Sequence, residues 1–201
     1  MKQRNHEMNC PLREDTNIST RAWSRRSFLK WMVVAAAALH FPSETLGRTP
    51  TPGSTERNLS LYNIHTGENF RHVYWANGQY LSEPLTEINT ILRDYRTDEI
   101  VPIDPRLLDL LSTIQATHGR DHALHIISGY RSSKTNEFLR KNGHGVARGS
   151  LHMKGKAADL AIPGVRLADL RATAVSLKGG GVGYYPGANF IHVDTGRVRY
   201  W

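Results

Sequence analysis

The sequence predicts an α+β domain, with a small, mainly antiparallel sheet and helices packed on one side of it. Three observations predict it. Short stretches of alternating or continuously apolar residues, at 59–65, 70–75, 123–128, 157–162, 182–185 and 189–195, have the period and length of strands. Segments with helical spacing and recognisable start and stop signals lie between them. The 201 residues, 39% hydrophobic and 22% charged, suffice for one domain of moderate size with a real core.

Taken in order, residues 1–47 form a leader. Ser24-Arg-Arg-Ser-Phe-Leu-Lys30 precedes the mildly apolar run Trp31 to Phe41, the pattern of a twin-arginine export signal and too short for an ordinary membrane span. The expected destination is the periplasm. No clean A-x-A precedes Arg48, so the boundary is placed after Gly47, and an uncleaved leader would be the chain's one link to the membrane. Cys10, the single cysteine, lies in this leader, which excludes a disulfide framework in the remainder. Residues 48–58, rich in proline and threonine, read as a linker.

The domain is expected over 59–201. Leu59 to His65 and Phe70 to Trp75 make two strands around Thr66-Gly67-Glu68. After Pro84, the stripe Leu85, Ile88, Ile91, Leu92 and Tyr95 marks a helix ending near Tyr95. Asp104-Pro105 is an N-cap followed by proline at the first helical position, with Leu107, Leu108, Leu111 and Ile114 buried and Gly119 as the stop. A strand over 123–128 turns out at Gly129 to Ser133, and a short helix spans 136–141. After Pro163-Gly164, Leu167 to Leu177 makes a crossover helix that ends at Gly179-Gly-Gly181. The strand 182–185 turns at Pro186-Gly187 into the strand 189–195, and 197–201 closes the chain as an edge segment.

The overall charge of +8 does not point to nucleic acid. The leader holds seven Lys/Arg and four Asp/Glu, a net of +3, which leaves +5 for the rest, without a basic run interleaved with aromatics. A modest positive surface suits an anionic cell wall and is equally an ordinary solvated surface.

The chemistry concentrates in two stretches. In Ser150-Leu-His152-Met-Lys-Gly155-Lys-Ala157-Ala-Asp159, a loop turning at Gly155 runs into a strand whose Ala157, Asp159 and Ala161 share one face while Ala158, Leu160 and Ile162 share the other. A carboxylate on such a strand is costly unless a cation or strong donors meet it. In the strand 189–195, Phe190, His192 and Asp194 share one face. If these strands pair, His152, Asp159 and His192 converge on one ion. Two imidazoles and a carboxylate make a three-ligand zinc set with an open fourth position, whereas structural zinc sites close with four ligands and favour thiolates. Arg131, just past a strand end, can project a cationic fork into the cleft or simply hold its turn. His65, His72 and His144 are read as structural or surface histidines outside the site.

Ser150-x-His152 with Asp159, the His192-Val-Asp194 before Thr-Gly, and Ser128-Gly-Tyr-Arg131-Ser together resemble the LAS family of zinc D-alanyl-D-alanine metallopeptidases, and within it the murein endopeptidases of Gram-negative bacteria. The similarity runs from about Leu59 to Trp201 and includes Asn63-Ile-His65-Thr-Gly67-Glu68, Arg93-Asp-Tyr95-Arg96 and Gly180-Gly-Val-Gly-Tyr-Tyr-Pro186. It implies a LAS/hedgehog-like fold whose sheet carries the metal site, Zn2+ as the cofactor, and peptidoglycan as the substrate. The implied reaction is hydrolysis of peptide cross-links, diaminopimelate to diaminopimelate first and D-alanyl to diaminopimelate next. It also implies that Arg131 meets the negative charge forming on the attacked carbonyl oxygen.

The chain departs from the family at the general base. Many members carry an acid three residues before the last histidine ligand or a histidine two before it, and Asn189 and Phe190 stand there instead. Asp194 is the best local candidate for the proton transfer, or else the partner that holds His192 in its metal-binding tautomer. Two other functions fit the same residues: a D,D-carboxypeptidase trimming stem peptides, and a metal-bearing module that binds cell wall without turnover.

Overall fold

The computed structural model describes residues 56–143 and 145–201; the leader (1–47), most of the expected linker and His144 lie outside the described residues. Strand β1 (Glu56–Asn63) pairs antiparallel with β2 (Asn69–Ala76). The turn between them is held by the Asn63 side chain, whose Oδ1 accepts from the backbone N–H of His65 at 2.9 Å and of Thr66 at 3.3 Å. β1 starts three residues before the expected domain boundary at Leu59: Arg57 and Asn58 already pair with Trp75 and Val73, so 56–58 belong to the sheet and not to the linker.

β2 continues into the two-residue strand β3 (Gln79–Tyr80) and then helix α1 (Ser82–Ile91). Helix α1 ends at Ile91, four residues short of Tyr95. Tertiary bonds compete for its last carbonyls: Asn63 donates to Ile91 O at 2.8 Å and Tyr130 N–H to Leu92 O at 2.6 Å. Tyr95 instead stacks on His65 with ring centroids 3.8 Å apart. Helix α2 (Pro105–His118) is capped as its sequence predicts, with the Asp104 carboxylate accepting from Arg106 N–H at 3.0 Å.

Strand β4 (Leu124–Ser128) leads through the Gly129 to Ser132 turn into helix α3 (Ser133–Lys141), which begins three residues earlier than expected because the Ser132 hydroxyl caps Thr135 N–H at 3.1 Å. A single 3-10 turn (Leu151–Lys154) precedes β5 (Ala157–Ala161). Helix α4 (Leu167–Leu177) crosses to β6 (Gly181–Tyr185), which is followed by β7 (Phe190–Asp194) and the short β8 (Arg199–Tyr200).

The eight strands form one sheet in the order β3-β2-β1-β4-β5-β7-β6-β8. Most neighbours are antiparallel, while β1/β4 and β6/β8 are parallel, so the α+β class with a mainly antiparallel sheet holds. One core cluster joins Leu59, Leu61, Leu124, Ile126, Ala158, Leu160, Ile191 and Val193 of the sheet to residues of α1, α2 and α4, including Ile88, Leu107, Leu111 and Leu170. Helix α3 contributes no residue to that cluster. Among the described residues, no helix is long and apolar enough to cross a membrane. The alternation in β5 and β7 therefore does two things at once: one face seals the core, and the other is left to carry polar side chains.

Candidate metal centre

The central strands β5 and β7 are adjacent, in a register that sets Asp159 directly opposite His192. His152 reaches the same point from the 3-10 turn. That turn is stopped by Gly155 at φ 62°, and a side chain at this position would also run into the carbonyl oxygen of Pro102, 2.6 Å from where its Cβ would lie. The turn is further tied down by Ser150, whose hydroxyl accepts from His152 N–H at 3.3 Å. All three side chains are buried, at 3% exposure for His152, 7% for Asp159 and 9% for His192.

Their ligand atoms converge. His192 Nδ1 lies 2.8 Å from Asp159 Oδ1, His152 Nε2 lies 3.1 Å from His192 Nδ1, and His152 Nε2 lies 3.3 Å from Asp159 Oδ1. The far nitrogens are committed elsewhere: His152 Nδ1 donates to the Gly129 carbonyl at 2.7 Å, and His192 Nε2 donates to Asp194 Oδ2 at 3.0 Å. With those tautomers, two imidazole lone pairs and a carboxylate oxygen face one another, an arrangement that repels itself unless a cation or a proton lies between them. Ligands around a tetrahedral zinc stand roughly 3.3 Å apart, for bonds of about 2.0–2.1 Å. The donor set and its spacing fit a metal ion. These are also the three described residues whose ligand atoms lie within 4.8 Å of one another in such a group.

The electrostatics agree with a cation-seeking site. Burial pushes the Asp159 carboxyl up, but the two imidazoles outweigh burial and hold it well below the usual carboxylate range. Burial lowers His192, yet Asp159 and Asp194 on its two sides raise it above the ordinary imidazole value.

Asp194 is fully buried and faces the back of the His192 ring. Its Oδ1 accepts from Gly181 N–H at 3.1 Å and Gly196 N–H at 2.8 Å, and Arg199 binds Oδ2 at 2.7 Å. Burial alone would raise this carboxyl, and His192 with these donors brings it far down. Asp194 does not line the cleft. Sequence reasoning missed Arg199; the signal available was an acid before the Thr195-Gly196 turn and an arginine three residues after it. It also read Gly181 as a helix stop, whereas a Cβ there would lie 2.5 Å from Asp194 Oδ2.

Arg131 lies on the open side of the site, 8% exposed, with Nη2 3.3 Å from the Ser128 hydroxyl and 3.6 Å from Asp159 Oδ2. Its Nε is buried without a hydrogen-bond partner. Burial lowers its pKa, against the opposing pull of Asp159. The turn that carries it is fixed by buried Asp94, which accepts from Ser132 N–H at 2.8 Å, and by Arg131 N–H donating to the His152 carbonyl at 3.2 Å. Asp94 belongs to the Arg93-Asp-Tyr95-Arg96 motif, and holding this turn is what that aspartate does.

His152, Asp159, His192 and Arg131 all open into one cleft of about 420 Å³. One wall is the segment containing Gly145, Val146, Ala147 and Gly149, anchored to α3 where Asn136 donates to the Ala147 carbonyl at 3.1 Å. The other wall contains Tyr185, Phe190 and Trp201. His65 and His72 lie outside it.

The chain is similar to known peptidoglycan endopeptidases. A family model described as peptidoglycan L,D-endopeptidase MepK, of the M15 peptidases, matches residues 51–201. The peptidoglycan L,D-endopeptidase MepK of Escherichia coli K12 is 42% identical over 178 residues, covering 89% of this chain and 97% of that protein. The probable peptidoglycan L,D-endopeptidase MepK of Haemophilus influenzae is 40% identical over 176 residues, covering 86% of this chain and 94% of that protein. With the match running across the whole described domain, the chain belongs to the MepK family of peptidoglycan endopeptidases.

Proposed function

We propose that this chain is a zinc endopeptidase of the periplasm, exported through its twin-arginine leader, that hydrolyses peptide cross-links of peptidoglycan. The observation that carries the reading is the convergence of His152 Nε2, Asp159 Oδ1 and His192 Nδ1 at the floor of an open cleft beside Arg131. The L,D in the relatives' names favours a bond between an L-configured and a D-configured centre, as in the diaminopimelate to diaminopimelate link. His152, Asp159 and His192 would hold the zinc, which when bound would supply Lewis acidity for activating water and polarising the peptide carbonyl.

The protein's own groups do the rest. Gly129 and Asp194 each hold one imidazole in the tautomer that turns its lone pair to the ion. Arg131, which lines the cleft beside the three ligands, receives the negative charge that develops on the carbonyl oxygen. Asp194 acts as the positioning group in this reading and not as the proton donor, because it is sealed behind His192 with its oxygens already taken.

Asp194→Asn tests that assignment. It should weaken zinc binding about 10- to 100-fold by competition with a chelator, while the metal-saturated variant keeps most of its kcat. A metal-saturated variant without turnover but with wild-type zinc affinity would return Asp194 to proton transfer.

The function itself is tested by incubating the zinc-loaded chain with intact sacculi and chromatographing the products. Loss of muropeptide dimers joined through two diaminopimelates is expected. Release of free D-alanine with dimers intact would make the chain a carboxypeptidase, and unchanged sacculi would make it a binding module.

A further inference from the structure

Large aromatic side chains are normally buried, and an exposed group of them beside a polar site marks a place where a ligand sits. Trp201 and Tyr185 are 47% and 39% exposed, and both line the cleft with the half-buried Phe190. They are nonetheless held in place. The Trp201 indole N–H donates to the Tyr185 hydroxyl at 2.8 Å, and the Tyr185 ring stacks on Phe190 with centroids 4.7 Å apart. Trp201 N–H and C=O pair with Val182 and Tyr184 of β6 at 3.2 and 3.0 Å, and the Arg199 guanidinium lies 4.9 Å from the indole centroid. The indole also fills the space beside Gly183, where a Cβ would stand 2.7 Å from its Cε2. A side chain so constrained has surrendered its rotamer freedom before any ligand arrives.

The placement of this wall is specific. The Trp201 and His192 ring centroids are 5.3 Å apart, so a group lying on Trp201 is within about two residues of a bond reacting at the metal centre, at roughly 3.3–3.6 Å per extended residue. We propose that Trp201, braced by Tyr185 and Phe190, is the subsite for the aliphatic side chain of the residue flanking the scissile bond. The occupant is the methylene chain of the stem peptide's diamino acid, its C–H bonds packed on the indole face. The inference rests on the endopeptidase reading. The glycan is an unsuitable occupant, because the stem peptide separates it from the cross-link by more residues than the reach from His192 to Trp201 allows.

The test uses purified metal-loaded chain and cross-linked muropeptide dimers, with and without their sugars removed by an amidase. Trp201→Ala should raise KM about tenfold, the effect of losing roughly 1.4 kcal/mol of binding, with kcat and zinc content close to wild type. Trp201→Phe should recover most of the loss, since it restores an aromatic face. The rise should be the same on sugar-free dimers. Metal-free wild-type chain should bind the sugar-free dimer in calorimetry, and Trp201→Ala should bind it about tenfold more weakly. An unchanged KM, a loss confined to kcat and zinc content, or a defect seen only with sugar-bearing dimers would overturn the subsite. Absence of wild-type turnover would instead defeat the endopeptidase reading, and the calorimetric comparison distinguishes the two failures.

Discussion

His152→Ala should abolish turnover of cross-linked muropeptides, with a fall in kcat/KM on the order of a thousandfold or more, because a bound metal contributes several kcal/mol to such a transition state. The cause lies in the arrangement of the site. His152 supplies one of three convergent ligand atoms, and its removal leaves His192 and Asp159 as a two-point site. The folded domain should survive, since His152 sits on a single 3-10 turn outside the hydrophobic core cluster. The checks are elemental analysis for bound zinc, circular dichroism for folding, and the muropeptide assay with added zinc. Turnover that persists in a thoroughly chelated His152→Ala chain would end the metallopeptidase reading.

The same site predicts a pH dependence. In the metal-free chain His192 has a raised pKa, so its contribution to stability is complete below the unfolded imidazole value of about 6.5 and is lost as pH rises through the folded value. Metal binding needs His192 neutral at Nδ1, so the ion displaces that proton and binds more tightly as pH rises. The increase in Tm produced by zinc should therefore grow between about pH 6 and 8. Asp159 and Asp194 behave in the opposite sense. Their pKa values are depressed, so their stabilisation is present above about pH 4 and is lost as acid titrates them through their lower folded values. A zinc-induced shift in Tm that shrinks as pH rises over that range would contradict this account of His192.

Arg131→Ala should lower kcat about 10²- to 10³-fold, the usual cost of losing a donor to a developing oxyanion. The zinc content should stay close to wild type, because none of the ligand atoms belongs to Arg131. Arg131→Lys should recover little, since a point charge on a flexible stem does not reproduce a fixed guanidinium fork. The guanidinium is held beside Asp159 Oδ2 at 3.6 Å and Ser128 Oγ at 3.3 Å and lines the cleft, which fixes the fork where a carbonyl oxygen bound at the site can meet it. Full kcat in Arg131→Lys would reduce this residue to that structural role.

Local pattern carried much of this fold. The alternation of Ala158, Leu160 and Ile162 against Asp159, and of Ile191 and Val193 against His192, is read directly from residue order because successive strand side chains point to opposite faces. The same is true of the Asp104-Pro105 start of α2, whose cap bond is local. The end of α1 was not legible, because Leu85 to Tyr95 has helical spacing and the bonds that stop the helix come from Asn63 and Tyr130. The Asp194–Arg199 pair and the part played by Trp201 were illegible for a similar reason. A buried ion pair and an aromatic wall depend on which side chains the turn after β7 and the short strand β8 bring together.

By itself, then, the sequence determined the class of the domain and the two strands that carry Asp159 and His192 against a core, through side-chain chemistry and a period of two, and it supplied His152 as a third donor on the loop before the first of them. The tertiary structure decided which nitrogen of each histidine faces the other two ligand atoms, that Asp194 stands behind His192 and out of the cleft, and that aromatic rings wall the approach. Those features are distances between residues remote along the chain, and they come into existence only when β4, β5, β6 and β7 are laid side by side.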